Sequence, residues 1–197
     1  MTASPVPQAN PILHHVTFKT KRMQEMVDWY TKVVGAHVNF QFEGAAWTTN
    51  DEANHRVAFL TTPALMEDPE QIKHVGLHHT AWEYPSLNDL VGNYERLAAD
   101  GILPHICLDH GLTMSFYYVD PDGNSVELQS DNFGDWAKST VYMQTSAEFQ
   151  REPIGVEVDP SKLAAALRAG VALSDVLERS RQGEFLPATR GDIRLPA

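Results

Sequence analysis

Apolar and polar positions repeat one order of elements twice along the first two thirds of the chain. In the first repeat, a strand over 12–20 leads into a helix over 21–34, whose apolar residues recur at helical spacing and whose end is marked by Gly35. The next strands are predicted at 37–42, 45–49 and 56–61. The first repeat therefore has the order βαβββ.

The second repeat follows the same order. A strand over 75–83 precedes Ser86, which resembles a helix N-cap with Asp89 three residues later, and Gly101 marks the helix end. The remaining strands are predicted at 103–108, 113–119 and 125–129. Because a sheet face must be buried, an α+β fold is expected in which two βαβββ modules form one curved mixed sheet around a shared cavity, with helices outside.

The predicted domain organisation has three parts. Residues 1–10 form a flexible arm without the basic start and apolar stretch of a signal peptide, and residues 11–129 form the paired domain, with modules 11–64 and 74–129. Residues 130–197 form a C-terminal extension with helical character. Its 130–158 part has no clear period, and Asp159-Pro160 resembles an N-cap followed by proline at the first helical position.

Two uses of this extension remain open. It packs on the core or on a second subunit, or part of it covers the active site. The candidates for such a cover are Phe133, Trp136 and Tyr142.

Composition excludes several classes of function. A net charge of −11 without a Lys/Arg cluster argues against nucleic acid, and no apolar run reaches the roughly 18 to 20 residues of a membrane span. Cys107 is the single cysteine, which excludes an intramolecular disulfide and fits a reducing cytoplasm. A cytoplasmic protein without nucleic-acid or membrane partners is expected.

Two histidine pairs and one carboxylate carry the candidate chemistry. The segments 13–18 and 77–82 are near copies, each with a histidine pair, and the segment 117–127 has a carboxylate after a tight turn. Two imidazoles and one carboxylate form a ligand set that leaves open positions on a non-haem Fe(II). Because side chains alternate along a strand, only one histidine of each pair is expected to face the cavity, and the apolar neighbours do not decide which.

These motifs lie in a segment, 12–129, that resembles the vicinal oxygen chelate superfamily and, within it, the type I extradiol catechol dioxygenases. It is similar to their single-domain members that act on 2,3-dihydroxybiphenyl-like substrates. The matching motifs are HVTF at 15–18, HTAW at 79–82, and Tyr117 followed by the DPDGN turn at 120–124 and Glu127. The resemblance implies a metal site formed by His15, His79 and Glu127 that holds Fe(II), with Mn(II) accommodated by the same ligands.

The resemblance also implies roles for three further residues. His55 matches the acid–base histidine, which first takes a proton from a catechol hydroxyl and then returns one. Tyr117 matches the tyrosine that hydrogen-bonds the substrate oxygen. His110 lies closer in sequence to Tyr117 than the family's second-sphere histidine does, so either a shortened loop still brings it to the site or it has no such role. The apolar candidates for the pocket are Trp47, Phe59 and Trp82.

The implied function is a ring-cleaving dioxygenase that inserts both atoms of O₂ into a small aromatic diol, in an expected homo-oligomer. A glyoxalase-type isomerase or lyase is the first alternative, but its site generally uses a further carboxylate on the last strand of the first module, and 56–62 has none. The second alternative is a metal-free ligand-binding protein of the same fold, which has no need of two matched histidines and a glutamate.

Overall fold

The computed structural model describes residues 9–196, so most of the predicted arm, residues 1–8, lies outside the described residues. The described residues form two compact units, which divide between Glu67 and Asp68. Each unit contains one βαβββ repeat, and the second also contains the extension, which confirms the predicted α+β class. Among the described residues, none of the helices combines the length and apolar character that crossing a membrane requires.

The first unit is a four-stranded sheet with one helix. Its elements are β1 (Val16–Lys19), α1 (Met23–Val34), β2 (His37–Phe42), β3 (Ala45–Thr49) and β4 (Val57–Leu60). The strand order is β1-β4-β3-β2, with β1 and β4 parallel and the other pairs antiparallel. The bounds of β2 and β3 are those predicted, whereas β1 begins four residues later than expected, at Val16 instead of Ile12.

The core of this unit lies between α1 and the sheet. The helix buries five side chains, Met26, Val27, Tyr30, Val33 and Val34. The Tyr30 ring lies 5.3 Å from that of Phe59, measured between centroids, so Phe59 belongs to this core. The helix ends at Gly35, whose φ of 72° is a conformation that only glycine adopts without a steric penalty.

The second unit holds a five-stranded sheet. Its first elements are β5 (His79–Glu83), α2 (Leu87–Ala99), β6 (Ile106–Asp109), β7 (Thr113–Val119) and β8 (Ser125–Asp131). The extension adds α3 (Trp136–Thr145), α4 (Ala147–Arg151), β9 (Val156–Glu157), α5 (Pro160–Arg168) and α6 (Leu173–Arg181). The strand order is β5-β8-β7-β6-β9, so hydrogen bonds group the strands of residues 9–196 into two sheets, where the sequence suggested one.

Local chemistry explains the helix starts that the sequence predicted. The Ser86 hydroxyl accepts a hydrogen bond from the Asp89 N–H at 3.2 Å, a contact that stabilises a helix by about 1 kcal/mol. Asp159 caps α5 in the same way, with Pro160 at the first helical position. Helix α3 is also capped, by Asp135, which accepts from the Ala137 N–H at 2.9 Å, but it has no buried apolar stripe, because it buries only Ser139 and leaves Trp136 exposed.

Candidate metal centre and substrate pocket

The register of the second sheet gathers three predicted site residues on one face. Tyr117 of β7 and Ala81 of β5 both pair with Glu127 of β8, and His79 lies two residues before Ala81 on the same face. As a result, His79 Nε2 lies 3.1 Å from Glu127 Oε2, and the Tyr117 hydroxyl donates to Glu127 Oε1 at 2.9 Å.

Glu127 is held as an anion although it is only 5% exposed. Burial acts to raise its pKa, but hydrogen bonds from His79, Ser115 and Tyr117 outweigh burial, and the pKa is lowered. The Tyr117 hydroxyl responds in the opposite direction, since burial and the neighbouring carboxylate raise its pKa. At neutral pH the pair is therefore a carboxylate and a neutral phenol.

The His79–Glu127 pair fits a metal ion by its chemistry. Both side chains are Lewis bases once deprotonated, and their facing atoms are 3.1 Å apart. In the metal-free chain a proton on His79 Nε2 joins the two atoms, and a metal ion replaces such a proton when it binds. The second unit thus offers one imidazole and one buried carboxylate to a metal.

His110 reaches this group of side chains. Its Nε2 lies 2.9 Å from the Tyr117 oxygen, so the imidazole and the phenol are hydrogen-bonded, with a direction set by the His110 tautomer. The loop that carries it is tight, with Gly111 at φ 81° and its N–H bonded to Asp109 Oδ1 at 2.8 Å. Burial lowers the pKa of His110, partly offset by the nearby Glu127.

A pocket of about 350 Å³ opens next to these residues. His79, His110 and Tyr117 line one part of it. The remaining wall is largely aliphatic, with Ile106 and Leu108 from the sheet and Ile154, Ile193 and Leu195 from the extension. The extension therefore lines the pocket, but through residues that the sequence analysis did not single out.

The three predicted covering residues are absent from the lining of this pocket. The Tyr142 ring packs against Phe133 and Phe149, with centroid distances of 5.3 and 6.1 Å, while Trp136 is exposed. No local pattern distinguishes Ile154, Ile193 or Leu195, because each is one apolar residue in a non-periodic stretch. These residues reach the pocket only through contacts between segments that are far apart in the sequence.

In the first unit, His15 and His55 lie together. The parallel pairing of β1 and β4 begins at Val16 and Val57, so the residues just before each strand become neighbours. The centroids of the His15 and His55 rings are 4.3 Å apart, and His14 completes a group whose ligating nitrogens all lie within 4.8 Å of one another.

The prediction that only one histidine of a pair faces the cavity is wrong for the second pair. His14 and His15 both enter the first group, and His78 and His79 both line the pocket. The reason is that β1 and β5 begin later than predicted, at Val16 and at His79. Alternation of side chains applies only within a strand, and one or both members of each pair precede it.

The geometry around His55 leaves one ring nitrogen available as a base. His55 Nδ1 lies 2.7 Å from the amide oxygen of Asn54, which only accepts hydrogen bonds, so Nδ1 carries the proton and Nε2 has the lone pair. Burial and the charges of His15 and His14 lower the pKa of His55. A neutral imidazole is therefore favoured at neutral pH.

Sequence comparison places the chain in a family. Residues 12–128 match the Glyoxalase/Bleomycin resistance protein/Dioxygenase superfamily, and the chain belongs to it. Among curated proteins, it is 42% identical over 179 residues to biphenyl-2,3-diol 1,2-dioxygenase 2 of Rhodococcus globerulus, covering 91% of this chain and 93% of that protein. It is 41% identical to biphenyl-2,3-diol 1,2-dioxygenase 3 of the same organism, covering 86% and 89%.

Structural comparison agrees on the fold. A glyoxalase/bleomycin resistance protein/dioxygenase from Nocardioides is similar with a TM-score of 0.50 at 22% identity, covering 64% of this chain and 87% of that one. The resemblance inferred from the HVTF, HTAW and Tyr117–Glu127 motifs is thus confirmed at the level of the family.

Proposed function

We propose that this protein is an extradiol dioxygenase, which inserts both atoms of O₂ into a catecholic substrate of biphenyl or bicyclic type, next to the diol, at a non-haem Fe(II). The observation that carries the proposal is the His79 Nε2–Glu127 Oε2 pair, 3.1 Å apart at the edge of a largely aliphatic pocket. The names of the two Rhodococcus relatives support the same reaction class.

The metal ligands in this proposal are His15, His79 and Glu127. His79 and Glu127 are supported by their contact, and His15 by its matching place in the sequence repeat and by the family. Fe(II) held by two imidazoles and a carboxylate has open coordination positions and the redox activity that a diol and O₂ require, and Mn(II) is the second candidate.

His55 is the proposed acid–base residue. Its Nε2 has the free lone pair, because Nδ1 is bonded to Asn54, so Nε2 takes a proton from a catechol hydroxyl. The same nitrogen returns this proton as the ring opens. An imidazole serves both directions because its ordinary pKa is close to neutral pH.

Tyr117 and His110 act as a hydrogen-bonded pair. For Tyr117 to donate to a substrate oxygen, its hydroxyl has to turn away from Glu127, which now accepts its proton at 2.9 Å. His110 holds the phenol oxygen from the other side at 2.9 Å. His110 therefore keeps the Tyr117 phenol oxygen in place while the phenol proton turns from Glu127 to the substrate oxygen.

The pocket suits an apolar substituent on the diol ring. A cavity of roughly 150 Å³ is enough for a benzene ring, and this pocket measures about 350 Å³. In the proposed reaction the ring carbon–carbon bond beside the diol breaks, and each of the two new ends receives one oxygen atom of O₂.

The proposed setting is a homo-oligomer in a reducing cytoplasm, with the domain organisation predicted above: an arm at 1–10, the paired domain at 11–129 and the extension at 130–197. The single thiol, Cys107, is buried and free, which suits that compartment. Exposed apolar residues on α3, such as Trp136 and Val141, are candidates for a subunit contact.

The alternative glyoxalase-type reaction is less well supported by the first unit. Strand β4 carries Val57, Ala58, Phe59 and Leu60, without the additional carboxylate that such a site generally uses. The two reactions differ in one measurable way, because isomerisation of a thiohemiacetal consumes no O₂.

The test is anaerobic reconstitution with Fe(II), followed by exposure to 2,3-dihydroxybiphenyl or catechol in air. We expect a yellow ring-opened product formed with one O₂ consumed per diol, and no product from protein loaded with redox-inactive Zn(II). Stoichiometric metal binding with isomerisation of a methylglyoxal–glutathione adduct, and without O₂ uptake, would support the alternative instead.

A further inference from the structure

The last described residues follow a fixed path over the pocket. We call residues 191–195 the C-terminal segment. His105 Nδ1 lies 2.6 Å from the Asp192 carbonyl oxygen, and Arg194 donates to the Gly123 carbonyl at 2.7 Å. A Cβ added to Gly191 would lie only 2.7 Å from the His105 carbonyl oxygen, so the segment approaches β6 at backbone distance.

Between these anchors, the Ile193 carbonyl oxygen lies 3.1 Å from His78 Nε2. A carbonyl oxygen can only accept a hydrogen bond, so His78 Nε2 carries the proton. In the neutral ring the other nitrogen, Nδ1, is then a lone-pair acceptor. The backbone of the segment thereby selects one tautomer of His78.

The tautomer of His78 in turn determines which nitrogen of His79 carries a proton. Its Nδ1 lies 2.7 Å from His79 Nδ1, and since His78 offers a lone pair, His79 must offer the proton. With Nδ1 occupied by that proton, Nε2, the atom that faces Glu127 Oε2 at 3.1 Å, is the nitrogen that can exchange its own proton for a metal ion. A histidine that ligates through one nitrogen is commonly oriented by a hydrogen bond from the other.

We propose that His78 is a positioning residue, through which the Ile193 carbonyl presents His79 Nε2 to the metal. The inference rests on the proposed function only in taking His79 as a metal ligand. It gives the C-terminal segment a part in metal binding in addition to the wall that Ile193 and Leu195 form.

The first test reads the tautomers directly in the full-length, metal-free protein. Long-range ¹⁵N–¹H correlation of the histidine rings should show the His78 proton at Nε2 and a proton at His79 Nδ1. Deletion of residues 191–197 should remove the preference at His78. A proton at His78 Nδ1, or a spectrum unchanged by the deletion, would overturn the proposal whatever metal the protein binds.

The second test measures metal affinity, with Zn(II) as a redox-inactive probe in competition with a chromophoric chelator. His78→Phe and the 191–197 deletion should each weaken Zn(II) binding by roughly 10- to 100-fold, the usual effect of removing a partner of a ligand. A protein that carries both changes should bind Zn(II) no more weakly than the more strongly affected single variant. The reason is that both changes break the same chain of hydrogen bonds.

His74→Ala is the matched control, because His74 is an exposed histidine bonded to Asp68 and absent from the pocket lining. Circular dichroism of each variant checks that it is folded. Wild-type affinity in a folded His78→Phe protein would overturn the positioning role and leave the proposed function intact. Failure of the wild-type chain to bind Zn(II), with the expected tautomers present, would instead overturn the proposed metal site.

Discussion

The two histidine pairs have the same local arrangement and different surroundings. In each pair the Nδ1 atoms of neighbouring rings meet, at 3.1 Å for His14 and His15 and at 2.7 Å for His78 and His79. The second pair is joined to the Ile193 carbonyl and to buried Glu127. Among the described residues, the His14 ring has only other imidazoles as hydrogen-bond or ring partners.

This difference separates two kinds of chemistry. The second unit offers a negative charge and fixed tautomers, which favour a metal cation. The first unit offers three imidazoles, and burial together with the charges of His15 and His14 lowers the pKa of His55, which favours a neutral base. In the function proposed above, the second unit therefore supplies two of the three metal ligands, and the first unit supplies the third, His15, together with the base, His55.

The difference between the two units is tested most directly by removing one proposed metal ligand from each of them. His79→Ala should abolish bound iron and turnover, since it leaves Glu127 without its partner at 3.1 Å. His15→Ala should abolish turnover but keep measurable weak iron binding, because His79 and Glu127 remain in contact. Iron content after gel filtration and O₂ uptake measure both.

Equal loss of iron in the two variants would contradict the asymmetry between the halves. Normal iron occupancy in His79→Ala would refute the assignment of His79 as a ligand.

A smaller effect is expected when the base is removed and the ligands are kept. His55→Gln should retain iron and catechol binding while turnover falls by a factor on the order of 10² or more, the usual contribution of an acid–base group. Stopped-flow measurement of ring opening reads the change, with His37→Gln on the exposed strand β2 as control. A rate equal to that of the control variant would exclude the role of His55.

Tyr117→Phe tests the hydrogen-bonded pair of the second unit. It removes the donor to Glu127 and the hydrogen-bond partner of His110, so kcat should fall on the order of 10-fold while iron content stays close to that of the wild type. Loss of iron comparable to that in His79→Ala would show that the phenol serves the metal site and not the substrate.

The smallest effect concerns the aliphatic wall. Ile193→Ala should lower kcat/KM for 2,3-dihydroxybiphenyl relative to catechol by about 5-fold, because an apolar contact to the larger substrate is lost. The backbone carbonyl that bonds His78 remains, so metal affinity should not change. Leu173→Ala, an exposed position in α6, is the control. An unchanged ratio of the two kcat/KM values would show that the second ring of 2,3-dihydroxybiphenyl binds elsewhere.

The sequence by itself determined the elements, the caps and the family. Strands β2, β3 and β7 have the predicted bounds, and Ser86 and Asp159 cap helices as expected. These features depend on alternation and on hydrogen bonds between residues a few positions apart, so they can be recognised within a short segment.

Only the tertiary structure decided which side chains meet. Both histidines of each pair enter a site because the strands begin late, and His110 reaches Tyr117 through a tight loop. Ile193 reaches His78 across 115 positions of sequence. Such contacts arise from packing between distant segments, whose energy depends on the whole fold and leaves no periodic signal along the chain.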